Sequence, residues 1–179
     1  MRRLIMSAVV AVSLVLLPGS TLQQLSLNDM ILKSTTIVYG TAQPSYTAFR
    51  GSMIYTHYQV QVIKSYKSSL VRYWDVAVPG GLVNGVRQSV AGAPVLTAGQ
   101  NYFLFLWTSP SGLTQVIGLS QGVFNVNSNS SGELIVSRGA TTETMLNASG
   151  QVVTDSNIQM TIGQMINRIQ NVLAGGSGQ

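Results

Sequence analysis

Residues 54–66 read IYTHYQVQVIKSY, and this stretch decides the fold class. Tyr58, Val60 and Val62 fall on one side of an extended chain, and His57, Gln59 and Gln61 on the other. That is the two-residue period of a half-buried strand. Similar signals lie on both sides. Residues 35–41 (TTIVYGT) read as a buried strand ending near Gly40, and residues 43–52 (QPSYTAFRGS) as a loop. Residues 72–78 (RYWDVAV) form a strand stopped by Pro79-Gly80-Gly81. Residues 100–108 (QNYFLFLWT) are the most apolar strand and are expected at the centre. Residues 113–119 follow a Pro110-Ser111-Gly112 turn, and 122–126 and 133–136 flank NSNSSG as a hairpin. Between these, residues 82–99 are irregular and long for a structureless loop, a place where function is often found. Residues 139–160 are polar and weakly patterned, and read as a surface excursion.

Helix signals sit only at the ends. Ser26 with Asp29 matches a capping box, which puts a short helix over 27–34. Thr161 with Gln164 makes a second box. After it, Ile162, Met165, Ile166, Ile169, Val172 and Leu173 trace an amphipathic stripe. The glycine-rich end, 175–179, reads as a flexible tail. Short strands with Gly/Pro turns and a packed closing helix predict a mainly β protein. The expected form is a small closed β-barrel with an N-terminal helix and a C-terminal amphipathic helix, one domain over 21–174.

At the start, Arg2 and Arg3 precede a charge-free run over 4–17, broken by Pro18-Gly19-Ser20. This is the layout of a secretory signal peptide over residues 1–20. As a helix the run reaches roughly 21 Å, short of the ~30 Å hydrocarbon core, so membrane contact is expected only if this segment stays uncleaved. The expected location is therefore periplasmic or extracellular. Beyond residue 20 stand eight basic and five acidic side chains, scattered rather than gathered on one face. A nucleic-acid binder concentrates its charge, so no nucleic-acid partner is expected.

Composition removes several chemistries. The 179 residues hold no cysteine, one histidine and only 15 charged residues, while Ser, Thr, Asn and Gln contribute 59. No disulfide framework, Cys-ligated zinc or thiol nucleophile can exist, nor a site needing two histidines from one chain. Asp29, Asp75, Glu133, Glu143 and Asp155 form no cluster in sequence. No metal, cofactor or catalytic residue is therefore assigned. A Ser-His-Asp triad can be written from Ser120, His57 and Asp75, and Gly118-Leu119-Ser120-Gln121-Gly122 matches G-x-S-x-G. That elbow requires a strand-to-helix turn, whereas QGVFNV reads as strand. The glycines are then better explained by a crowded bulge or turn. Tyr55, Tyr58, Tyr66, Tyr73, Trp74, Tyr102 and Trp107 could line an aromatic platform, although alternation buries about half of them. Tyr55, His57, Arg87 and the 82–99 loop are the expected binding face.

Several of these pieces together resemble a widespread group of exported bacterial proteins of uncharacterised function. The resemblance rests on Ile54-Tyr55-Thr56, on Pro79-Gly80-Gly81, and on Gly118, Gln121, Gly122 and Phe124 of GLSQGVF, and it runs from about residue 26 to 126. The group's K-G after the long strand is Lys67-Ser68 here. More distantly, the strand order is similar to netrin-like modules and tissue inhibitors of metalloproteinases, which implies an OB-type five-stranded barrel. Those inhibitors chelate zinc through an N-terminal cysteine, which this chain lacks, so only the barrel carries over. The leading expectation is a non-enzymatic exported module that binds another exported protein or a surface ligand. The alternatives are a secreted hydrolase using Ser120 and His57, and an inhibitor or accessory partner of an exported protease.

Overall fold

The computed structural model describes residues 21–68 and 71–175. The segment read as an export signal, 1–20, lies outside them, as does the tail beyond Gly175. The described chain begins with strand β1 (Thr21–Gln23) and helix α1 (Leu27–Lys33). The capping box at Ser26 is formed: its Oγ accepts from the Asp29 amide at 3.0 Å, and Asp29 Oδ2 accepts from the Ser26 amide at 3.1 Å. The helix is short, and Met30 and Ile31 hold it by packing inward rather than by propensity.

Next come the two longest strands, β2 (Thr36–Arg50) and β3 (Met53–Lys67). The reading of 43–52 as a loop is corrected here. Strand β2 continues to Arg50, and Arg50 pairs with Met53 across the two-residue turn Gly51-Ser52. Gly51 has φ +62°, which a glycine adopts without a Cβ clash. Pro44 made this segment look like a loop, but it sits where the register shifts between Ala42 and Ser45. A proline is tolerated there because the ladder needs no donor. A second shift at Tyr39/Gly40 leaves Ile63 outside the ladder and exposed. Gly40 is required at that bend, since a Cβ would lie 2.6 Å from the Gln61 carbonyl oxygen.

The remaining elements are β4 (Tyr73–Pro79), β5 (Gly81–Val83), β6 (Val86–Gln88), β7 (Asn101–Thr108), β8 (Thr114–Val116), a 3₁₀ turn (Leu119–Gly122), β9 (Val123–Ser128) and β10 (Leu134–Arg138). They are followed by β11 (Thr144–Leu146), β12 (Val152–Val153), β13 (Ile158–Thr161) and α2 (Ile162–Leu173). The fold is mainly β with two helices. The main sheet runs β13-β10-β9-β7-β2-β3-β4, with β8 also paired to β7. Here the closed barrel is corrected. The sheet is open, and among the described residues no ladder joins β4 to β8 or to β13. The reason is the division of one edge of β7. Its residues 101–104 pair with β9 and 106–108 with β8, so the sheet continues through β9 and β10 rather than ending at β8. The half made of β4, β3, β2, β7 and β8 still curls until β4 lies beside β8. Arg50, at the far tip of the long hairpin, reaches across to donate to the Ser111 carbonyl at 3.0 Å.

The middle of the open sheet is buried on both faces. Inside the curl lie Val38, Tyr58, Val60, Val76, Leu104 and Leu106. On the opposite face, Ile37, Phe103, Phe105 and Phe124 pack against Met30 and Ile31 of α1 and Met165 and Ile169 of α2. Neighbours in sequence thus enter different cores, which is why β7 reads as a continuous apolar run. Each such fully buried side chain contributes about 1.5–3 kcal/mol of transfer free energy. The α2 stripe buries Met165, Ile169 and Val172, and its Thr161–Gln164 capping box is formed. The 139–160 excursion has more order than expected: β11 and β12 form a hairpin, and β1 pairs in parallel with β11.

Candidate functional site: an aromatic face around His57

Register across the β2-β3-β4 sheet sets which side chains share the outer face. Tyr46 pairs with His57, which pairs with Ala77; Tyr55 lies between Ala48 and Pro79; Gln59 pairs with Asp75, and Gln61 with Tyr73. Directly paired residues point to the same side. The inner side takes Tyr58 and Val60, as the two-residue period predicts. On the outer side the His57 ring stacks on Tyr46, with centroids 4.8 Å apart and planes 8° apart, and meets Tyr55 edge-on at 6.5 Å. His57 Nδ1 lies 3.1 and 3.0 Å from the two Asp75 carboxylate oxygens. An ionised carboxylate only accepts, so Nδ1 carries the hydrogen, and Nε2 of the neutral ring is left as an acceptor. The His57 side chain is 14% exposed and that of Asp75 44%. Tyr46 is half exposed. Desolvation, then the Asp75 charge and a hydrogen bond to it, pushes the Tyr46 phenol above its ordinary value, so it stays a neutral donor.

The three residues expected to form one face are not all brought together. Tyr55 and His57 are adjacent, but Arg87 is not with them. It lies on β6 and lines a cleft of about 280 Å³ on the inner side, with Thr56, Tyr58 and Pro79. The 82–99 loop is partly regular, because β5 and β6 form a hairpin around Asn84 (φ +50°) and Gly85 (φ +81°). Asn-Gly is the strongest short hairpin signal, and it was there to be read. Pro79-Gly80-Gly81 makes the corner from β4 into β5. The Gly80 carbonyl accepts from Thr56 Oγ1 at 2.8 Å, and a Cβ on Gly81 would meet Thr47 and Thr56 at 2.9 Å.

Ser120 stands elsewhere again. Its backbone lies in the 3₁₀ turn, its amide donates to the Gly92 carbonyl at 3.1 Å, and it lines a cleft of about 220 Å³ with Asn125 and Arg138. The His57 ring touches Tyr46, Tyr55 and Asp75, and Ser120 is not among its partners. The chain leaves the turn as β9, not as a helix. The Gly-Leu-Ser-Gln-Gly residues have structural work instead. The buried Gln121 accepts from the Leu25 amide at 2.8 Å and donates to the Gln23 carbonyl at 2.9 Å. Phe124 is fully buried edge-on to Phe105. A Cβ on Gly122 would lie 2.6 Å from the Ile117 carbonyl oxygen and 3.0 Å from that of Phe105. Backbone on two sides cannot give way cheaply, so Gly122→Ala is expected to cost about 3 kcal/mol. Urea denaturation reads this against Gly139→Ala, where a Cβ meets nothing within 4 Å and no loss is expected.

One buried ion pair carried no sequence signal. Arg138 and Asp155 bond bidentately at 2.7 and 2.9 Å, with side chains 7% and 5% exposed. Asp155 also accepts from the Thr141 and Ser156 amides, both at 2.9 Å. Tyr46 was also missed, because it falls in the stretch read as a loop. The alternation of Tyr46, Ala48 and Arg50 against Thr47 and Phe49 was the available clue. Among the described residues no group of three acids or histidines could hold a metal, and no helix is long and apolar enough to cross a membrane. No protein-family model, curated protein or solved structure matches the chain.

Proposed function

We propose that this protein is an exported, non-enzymatic binding module, and that the outer β2-β3-β4 face around His57 is where it meets its ligand. The curled half of the sheet is, in this reading, an opened form of the OB/netrin-like barrel. The observation that carries the proposal is the Tyr46–His57–Tyr55 cluster with Asp75. Single exposed aromatics are ordinary, but here two tyrosines converge on one histidine, and a carboxylate fixes that histidine's tautomer and orientation. Arg2, Arg3 and the apolar run over 4–17 support export.

The test is retention of the purified protein on washed cell envelopes of the organism that makes it. Wild type is expected to be retained, and the double variant Tyr46→Ser, Tyr55→Ser to be washed off with its melting temperature unchanged. Equal retention of both proteins would remove this face from the function. Ester hydrolysis lost in both His57→Ala and Ser120→Ala would replace the module with the hydrolase. That alternative has one observation in its favour, since His57–Asp75 is the base-and-orienter half of a triad.

A further inference from the structure

We infer that the His57 face binds an extended, neutral glycan chain lying along strand β3, an inference that rests on the binding-module reading above. Three features of the face select this chemistry. The first is shape. From Tyr55 to the Gln61–Tyr73 row is seven residues of strand, about 20 Å, with side chains on an open sheet rather than in a pocket. A single small molecule needs a concave site to bury most of its surface, whereas a chain of sugar rings can lie along a strip. The second is the pairing of rings with hydrogen-bonding groups. Tyr46 is 51% exposed and Tyr73 43%; His57 covers one face of the first and Arg72 stands over the second, and the ring surface each leaves exposed can meet the C–H edges of a pyranose. Between them stand Gln59, the Asp75 carboxylate and, beside Tyr46, His57 Nε2, a mixture of donors and acceptors that suits vicinal hydroxyls, each of which both donates and accepts.

The third feature is charge. Asp75 lies within the strip and disfavours an anionic polymer. Its charge is directed at His57, and one flanking cation, Arg72, is placed over the Tyr73 ring at 5.4 Å. A polyanion thus meets a carboxylate, and a polycation meets a carboxylate already engaged. A protein partner would bury an apolar centre, but the middle of this strip is glutamine and carboxylate.

The test is titration of the purified protein with short soluble neutral oligosaccharides, α- and β-linked glucans and chitin oligomers, followed by NMR of the His57 ring and by calorimetry. At least one is expected to shift the His57 signals. Tyr46→Ser should weaken its binding about tenfold or more, and Gln59→Ala measurably, with melting temperatures unchanged. If no neutral oligosaccharide binds while envelope retention still depends on Tyr46, the glycan inference fails and the module reading stands, with a protein as the occupant. Tighter binding of an anionic polysaccharide, weakened by salt, would also overturn it. Loss of both oligosaccharide binding and Tyr46-dependent retention would remove both readings.

Discussion

Asp155→Ala is expected to lower the stability of the folded chain by about 3–5 kcal/mol, the cost of leaving a buried charge without its partner. The local structure gives Arg138 no second acceptor of equal quality. Nη1 and Nη2 both bond Asp155, Nη2 has only a long 3.4 Å contact to the Ser156 carbonyl, and Nε is buried with no partner. The Phe124 ring, 6.0 Å from the guanidinium, offers a weak cation–π contact. The same substitution takes the acceptor from the Thr141 and Ser156 amides. Equilibrium urea denaturation measures the loss, and a value under about 1 kcal/mol would show that water enters and solvates Arg138. Adding Arg138→Met should recover part of the loss, because the unpaired charge is then gone.

This pair also sets an acid limb. Burial of Asp155 works against its ionisation, but the Arg138 hydrogen bonds and the two amides outweigh it and hold the carboxyl below the usual aspartate value. Asp29 is lowered too, foremost by the Ser26 hydroxyl and, against slight desolvation, by Lys33. A depressed folded-state pKa contributes stability that is complete above the unfolded value, about 3.9, and fades as pH falls through the folded value. Stability should therefore fall on acidification below about pH 4, and Asp155→Asn should flatten that fall while lowering the plateau.

What was legible in the chain follows from the range of the interactions involved. The two-residue period over 57–62, both capping boxes and the α2 stripe are local, and each is found in the structure. The path of β2 beyond Gly40 was hidden because Pro44 and its polar neighbours look like a loop, and a bulge that absorbs a proline leaves no local mark. Closure of the barrel was beyond reach for a different reason. Whether the last ladder forms depends on β7 sharing one edge between β8 and β9, which no single strand's pattern encodes. The site shows the same division. The outward placement of His57 is a matter of alternation, but its meeting with Tyr46 and Asp75 depends on register across two strand pairs, one of them shifted by a bulge. Arg138 and Asp155, 17 residues apart in a polar stretch, have no periodic relation at all.

Gln121→Leu is expected to cost about 2–4 kcal/mol and to free the N-terminal strand while leaving the two cores in place. Gln121 is 1% exposed, and its amide does what a neighbouring strand would otherwise do. Its oxygen takes the Leu25 amide hydrogen, and its nitrogen serves the Gln23 carbonyl and, at 3.3 Å, that of Gly118. Leucine is similar in volume and keeps the packing, so the loss comes from leaving two backbone groups without partners in a partly buried place. Glutamate is the sharper companion: it keeps the acceptor for Leu25 but presents a carboxylate to the Gln23 and Gly118 carbonyls, so it should be worse than leucine. Strand β1 is held otherwise by its parallel pairing with β11 and by the Gln24 amide on the Leu146 carbonyl at 2.8 Å. Hydrogen exchange distinguishes the local effect from a global one. Protection at Leu22, Gln24 and Leu25 should collapse in Gln121→Leu, while amides of β7 lose only what the global stability change requires. A uniform loss across β7 and β1 would mean that Gln121 supports the whole sheet. Unchanged protection at Leu25 would mean that water replaces the side chain and that the buried glutamine of GLSQG has no structural part to play.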